Sequence, residues 1–394
     1  MKKIYLDNNA TTPLDPAVLE AMLPYLREDF GNPSSIHQFG RKIKVAIEEA
    51  REKVANLIGA EPLEIIFTSC GSESDNMAIK GVASYLSKKK GNHIITSQIE
   101  HPAVLETCQF LEKNGYEVTY VSVDKYGTVD LQEIEDAVKE STILITIMHG
   151  NNEIGTVQPL KDIGEIAKKH GIYFHTDAVQ SAGKIPTKVD ELGVDLLSLA
   201  GHKLHGPKGV GALYVKKRTR MHYLINGGHQ ERGRRAGTEN VAGIVGLGAA
   251  CEIAGKEMES EAKRLTVIRD ALYKGIMERI PDVQLNGHLT NRLPTTLNMS
   301  FKYVEGESLL INLDLKGVAI STGSACSSGS LEPSHVLLAL KIPHEIIHGS
   351  LRFSFGRFNK PEEVDYVLEV LPPIVEKMRD MSPLWDKKKV SLGE

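Results

Sequence analysis

The sequence predicts an α/β protein built on a mainly parallel seven-stranded sheet, with a smaller α+β domain toward the C-terminus. Three observations carry this. Between Glu61 and Val215, strand-like and helix-like segments alternate. The strand-like runs are continuously apolar rather than alternating, which suits strands covered on both faces. After Asn240 the pattern changes to one long helical stretch followed by shorter mixed elements.

In chain order, "EIIFTS" (64–69) reads as an apolar strand, with "GSESDNMAIKGVASYL" turning helical behind it. "HIITSQ" (93–98) precedes a helix over about residues 101–113. "EVTYVSV" (117–123), "ILITIMH" (143–149), "IYFHTDAV" (172–179), "DLLSLAGH" (195–202) and "GALYVK" (211–216) complete the sheet. Further on, Leu265, Ile268, Leu272, Ile276 and Ile280 recur at spacings of three and four, one face of a helix. "TTLNMSF" and "SLRFSF" read as strands, and "PEEVDYVLEVLPPIVEKM" as a helix. These readings assign residues 15–255 to a large domain, and residues 1–14 with 256–394 to a small one.

The chain has 394 residues, 41% hydrophobic and 25% charged, with a net charge of -4. That balance argues against nucleic acid or an anionic membrane as partner. The run from Lys216 to Arg220 reads as solvated surface. The apolar start ends after Leu6, short of the ~7–15 residues of a signal peptide. No run reaches the ~20 apolar residues of a membrane span, so the expected location is cytoplasmic. Cys70, Cys108, Cys251 and Cys326 are widely spaced and fit neither a zinc site nor a disulfide framework. Cys326 sits in "ISTGSACSSGS" (320–330), where nothing bulky could bury it. Free cysteine is usually a small buried hydrophobe.

In an open parallel sheet, ligands bind beyond the carboxyl ends of the strands. Four such ends carry polar residues. In "FTSCGSESDN", Gly71 permits a tight turn and Ser72 opens a helix, whose N-terminus suits a phosphate. Ser72 and Asp75 also have the spacing of an ordinary capping box. In "FHTDAVQSAG", Asp177 and Gln180 follow a strand; Asp177 could hold a protonated ring nitrogen or simply make a turn. In "SLAGHKLHGPKGVGALYV", Lys203 is either a surface lysine or an amine whose pKa burial and neighbouring cations lower, ready for a Schiff base. In "SQIEHPAVL", His101 could stack on an aromatic cofactor or cap its helix. Together these describe a site for pyridoxal 5'-phosphate.

At these residues the chain resembles the NifS/IscS-type cysteine desulfurases, within the fold-type I pyridoxal phosphate enzymes. The resemblance runs from "YLDNNATTP" (5–13) through "GNPSSIH" (31–37), "NNEIGTVQ" (151–158), "HTDAVQSAGK" (175–184), "GHKLHGPKGVGALYV" (201–215) and "GGHQERGRRAGTEN" (227–240) to "GSACSSGSLEPSHV" (323–336) and "RFSFGRF" (352–358). It implies Lys203 as the Schiff-base lysine and His101 as the residue stacked on the ring, with Asp177 on the ring nitrogen. Gln180 would meet the ring hydroxyl, with Asn152 beside it and also near the substrate. Ser72 and His202, with Gly71 at the turn, would take the phosphate. Thr238 would reach the phosphate of the partner subunit, which implies a homodimer. Arg352, helped by Asn32, would clamp the substrate carboxylate. Cys326, in a loop over about residues 321–332, would be the nucleophile that takes sulfur from L-cysteine as a persulfide, leaving L-alanine, with His101 as proton acceptor. The long Ser/Gly loop ending in "LEPS" implies an iron–sulfur scaffold protein as sulfur acceptor. The run "GGHQERGRRAGTEN" is nearer the nitrogen-fixation branch, which implies nitrogenase as one destination. The chain departs from the family at Ala200, where a serine often donates to the phosphate, and at Ser72, where threonine is usual.

Three other readings compete. "HEIIH" (344–348) satisfies the HExxH zinc pattern, but Pro343 and Gly349 confine the helix to under two turns. A class V aminotransferase or a selenocysteine lyase would share the fold without needing the Cys326 loop. A non-enzymatic sulfur carrier or scaffold would leave the cofactor constellation unexplained.

Overall fold

The computed structural model describes residues 3–322, 333–383 and 385. Its strands are β1 (Ile4–Tyr5), β2 (Ile65–Thr68), β3 (His93–Ser97), β4 (Glu117–Val121), β5 (Thr142–Thr146), β6 (Tyr173–Asp177), β7 (Leu196–Ala200), β8 (Gly211–Val215), β9 (Val283–Asn286), β10 (Thr296–Phe301), β11 (Val318–Ala319) and β12 (Ser350–Ser354). Strands β2 to β8 form one sheet in the order β2-β8-β7-β6-β5-β3-β4. Strand β8 pairs antiparallel with β2 and β7, and every other pair is parallel.

Every residue of β2, β3, β5, β7 and β8 is buried. That is the physical meaning of their continuous apolar runs: helices cover both faces. Strand β4 departs from this. It has one neighbour, and Glu117 is exposed while Val118, Thr119 and Tyr120 are half-buried. On one face the helix Gly71–Leu86 packs Met77, Ile79 and Val82 with Ile66, Ile94 and Leu144. On the other, Ile43, Ile47, Leu247 and Ala250 gather with Phe67, Ile95, Ile145 and Leu197. The helices Gln38–Ile58 and Val241–Arg279 approach closely at Gly248, where an added Cβ would lie 2.7 Å from Ala50 Cα.

The helix after β2 corrects one expectation. Ser72 and Asp75 do not form a capping box. The helix begins at Gly71 and its N-cap is Cys70, whose sulfur accepts from the Glu73 N–H at 3.4 Å. A Cβ at position 71 would lie 2.7 Å from Val179 Cγ2, so the glycine lets the chain turn against Val179. The helix starts early as a result, and Asp75 falls on its buried face.

A second core gathers Ile4, Leu6, Leu265, Leu272, Phe301, Leu313, Phe353, Val367 and Leu371. Around it stand a three-stranded antiparallel sheet, β12-β10-β9, and the parallel pair β1-β11. The helix Val241–Arg279 belongs to both cores, through Leu247 and Cys251 at one end and Leu265 to Ile276 at the other. Val336, Leu337, Leu340 and Ile347, late in the sequence, pack into the first core. No described helix is long and apolar enough to cross a membrane.

Candidate active site

A cavity of about 510 Å³ opens where β2, β3, β6 and β7 end. Gly71, Ser72, His101, Asn152, Asp177, Gln180, His202, Lys203 and Arg352 all line it. Asn32 and Thr238 do not. Asn32 is exposed and its side-chain oxygen accepts from the Ser34 N–H at 2.9 Å. Thr238 is exposed on the same chain. Cys326 lies outside the described residues.

Lys203 closes a short turn, Gly201–Lys203, directly after β7. Its ammonium donates to the carbonyl of Asn9 and, at 2.7 Å, to that of Ala10. Burial pushes its pKa down to about 8; the nearby Arg352 pushes the same way, and Asp177 and Asp7 oppose it. Asp177 ends β6, is 7% exposed and accepts from the Val179 N–H at 2.8 Å. Burial raises its pKa, with His101 and Lys203 opposing. It therefore makes the turn and faces the cavity at once.

His101 is the N-cap of the helix Pro102–Glu112. Its Nδ1 accepts from the Ala103 N–H at 3.1 Å. Burial lowers its pKa, aided by Lys203 and His335 and opposed by Asp177. A neutral ring whose Nδ1 is an acceptor carries its proton on Nε2. His202 is held at about 4, first by burial and then by Lys203, Lys208 and Lys184, so toward a phosphate it offers a neutral ring rather than a charge. The methyl of Ala200 lines the wall beside them.

Gln180 is gripped at both ends: its Nε2 donates to the Asn9 carbonyl at 2.9 Å, and Lys184 donates to its Oε1 at 3.1 Å. Arg352, on β12, donates to Asp7 at 2.9 Å and to the Asn152 carbonyl at 3.1 Å, while its buried Nε has no partner. The backbone of Ser321 pairs with that of Arg352, and Ser321 and Thr322 reach the cavity wall. On the far side of residues 323–332, the Ser334 hydroxyl donates at 2.5 Å to Glu153, which also lines the cavity.

Sequence reasoning missed Asp7, Asn9, Asp75, Glu153 and Lys184. Asn9 and Asp7 lie in "YLDNNATTP", more than 190 residues before Lys203, and no local pattern brings them together. Lys184 stands four residues after Gln180, a spacing that could have suggested the contact.

The residues fit pyridoxal phosphate. A 16-residue helix points its N-terminus at one end of the cavity, and a buried carboxyl and a low-pKa amine stand in its walls. Among the described residues, three buried polar atoms of the cavity lining lack hydrogen-bond partners: Asn9 Oδ1, Asp75 Oδ1 and Arg352 Nε. The rival zinc pattern finds less support. Its helix spans only His344–Ile347, and the described residues contain no cluster of three candidate ligands.

Comparison with known proteins decides the family. The aminotransferase class-V pattern matches residues 4–367. The cysteine desulfurase IscS of Dictyoglomus turgidum is 59% identical over 99% of both chains. The chain belongs to the NifS/IscS-type cysteine desulfurases of the aminotransferase class-V family. Two solved structures agree with that placement. A NifS-like protein superposes with a TM-score of 0.90 at 44% identity, covering 95% of this chain and 100% of its own. SspA in complex with cysteine superposes at 0.80 with 41% identity, covering 91% and 100%. As a cysteine desulfurase of this family, the enzyme depends on pyridoxal phosphate.

Proposed function

We propose that this desulfurase takes sulfur from L-cysteine and holds it as a persulfide on Cys326, releasing L-alanine. The sulfur then passes to an iron–sulfur cluster assembly scaffold, with nitrogenase as one destination. The carrying observation is the meeting of Lys203, Asp177, His101 and Arg352 in one cavity, with Ser321 and Thr322 at its wall. The relative solved with cysteine supports the substrate.

Pyridoxal phosphate, when bound, supplies an electron sink for the pair left on the substrate's α-carbon. The N-terminus of the helix Gly71–Leu86, Ser72 and His202 would take its phosphate; Asp177 its ring nitrogen; Gln180 and Asn152 its ring oxygen. Arg352 holds the substrate carboxylate, and Asp7 and the Asn152 carbonyl fix the guanidinium beforehand. Lys203, once released from the carbonyls of Asn9 and Ala10, is neutral often enough near pH 8 to carry a proton to and from the α-carbon. His101 enters as a donor from Nε2, because its Nδ1 is occupied. In this tautomer Nε2 cannot be the acceptor expected from the sequence, and the Cys326 thiol gives its proton to solvent, entering as the thiolate. The thiolate attacks the substrate sulfur and the sulfur–sulfur bond of the persulfide forms; the carbon–sulfur bond breaks with its electron pair left on carbon, which takes a proton to become the methyl group of alanine.

We assign residues 15–255 to a large cofactor domain, and residues 1–14 with 256–394 to a small one; the two hydrophobic cores support this division except at Val336, Leu337, Leu340 and Ile347, which pack into the first core. The active unit is read as a cytoplasmic homodimer, with the exposed Thr238 serving the partner's cofactor phosphate and Asn32 near the substrate. Cys326→Ser, mixed with L-cysteine, tests the nucleophile. Alanine production should fall by roughly 100-fold or more while the protein still binds cofactor. Wild-type alanine output from that variant would remove Cys326 from the mechanism.

A further inference from the structure

A second carboxyl lines the cavity that the proposed reaction does not use. Asp75, on the inner face of the helix Gly71–Leu86, shares the cavity with Asp177 and is 1% exposed. Its Oδ1 is buried without a hydrogen-bond partner, 3.6 Å from His175 Nε2. An ionised carboxylate so placed would keep a charged oxygen out of water with nothing donating to it, a costly arrangement.

Among the described residues, its surroundings offer no compensating cation. Burial pushes His175 down to about 3, so that imidazole is neutral. Its ring nitrogens are engaged with Thr146 Oγ1 at 2.8 Å and Ser198 Oγ at 3.0 Å. The other titratable groups facing Asp75 are Asp177, Glu100 and Cys70, all of which disfavour its ionised form; Ser198 alone favours it. Asp177 is better supported. It accepts from the Val179 N–H, and His101 and Lys203 stand near enough to favour its charge. Two carboxyls sharing one dry site cannot both ionise cheaply, and their protons come off as those of a pair.

We propose that Asp75 and Asp177 form one buried carboxyl pair bearing a single negative charge, with the proton held on Asp75. This rests on Asp177 as the partner of the ring nitrogen. Asp75 is then a positioning residue: by staying neutral it fixes which carboxyl is the ion, so the ring nitrogen meets one negative charge instead of two. A neutral Asp75 does not need the Ser198 proton, the one contact that favours its ion. Ser198 can in turn donate to His175 Nε2, leaving Nδ1–H to donate to Thr146.

The test is an infrared difference spectrum of the cofactor-free protein at pH 7, wild type against Asp75→Asn and wild type against Asp177→Asn. Asp75→Asn should remove a protonated-carboxyl carbonyl band, and Asp177→Asn an ionised-carboxylate band. Loss of a carboxylate band from Asp75→Asn, or of the protonated band from Asp177→Asn, overturns the proposal. Should either variant fail to fold, a carbon-13 titration of labelled aspartates in the wild type reads the same two ionisations. The ring-nitrogen reading has its own readout, which is cofactor retention and visible absorption of Asp177→Asn after reconstitution. An unchanged holo-spectrum there defeats that reading and leaves the cofactor-free result standing.

Discussion

Lys203 illustrates how a side chain is tuned by what surrounds it. Its ammonium is half-buried near Arg352, and its pKa drops to about 8, against about 10.4 for free lysine. A lysine needs its neutral form to attack an aldehyde, so the uncharged fraction should set how fast the cofactor-free protein takes up pyridoxal phosphate. We expect the uptake rate, read as growth of visible absorption, to rise with pH through a midpoint near 8. Arg352→Gln removes the second-largest cause of the lowering, so the midpoint should move up. A wild-type midpoint near 10 would mean the amine is untuned. Lys203, Asp177 and His101 were legible in the sequence because each stands just past an apolar strand, where the sheet geometry puts ligands. Asp7 and Asn9 were not legible, because their link to Lys203 and Arg352 exists only once strands from opposite ends of the chain meet.

Among the elements, the segment between β8 and the long helix carries the most visible strain. Glu231 and Arg232 have left-handed backbones, φ 47° and 60°, followed by Gly233 at 76°. Each non-glycine residue there costs about 1–2 kcal/mol. What holds them is a buried pair: Arg51 donates to both Glu231 oxygens, at 2.7 and 2.8 Å, and the Phe67 N–H adds a third bond at 2.9 Å. Both side chains are nearly inaccessible, at 2% and 3%. Glu231→Gln would leave the Arg51 charge with only the half-exposed Glu48, 3.1 Å away, as counterion, at a cost of about 3 kcal/mol in urea unfolding. Replacing both residues by methionine should recover much of that. An effect below 1 kcal/mol for the single change would show that the pair does not brace the segment. The alternation of strands and helices made the large sheet readable. The exposure of β4 was not, since an apolar run does not reveal that its strand has a single neighbour.

For the whole molecule, Thr238 is exposed and does not line the cavity of its own chain. A second copy is where its hydroxyl would find a phosphate. Sedimentation should show a dimer, and Thr238→Ala should lose cofactor on dialysis about tenfold faster while staying folded and dimeric, the loss of one hydrogen bond to a charged group. A monomer in sedimentation would sink this arrangement. The second core was only partly foreseen: the periodic face from Leu265 to Ile276 was readable, but the two-residue pairing of β1 with β11 was too short to leave a pattern.

That pairing sets an order of events during synthesis. Ile4 and Tyr5 lie beside Val318 and Ala319, and the backbone N–H and side-chain amide of Asn8 both donate to the Ser354 carbonyl. Asn9, next in line, supplies the carbonyl that receives Lys203 and Gln180. Residues 4–9 must therefore wait for residues more than 300 positions further along the chain. At about 5–20 residues per second, the delay is on the order of tens of seconds. Until then the amine of Lys203 lacks its resting place, so a growing chain has every strand of the large sheet before it has a finished pocket.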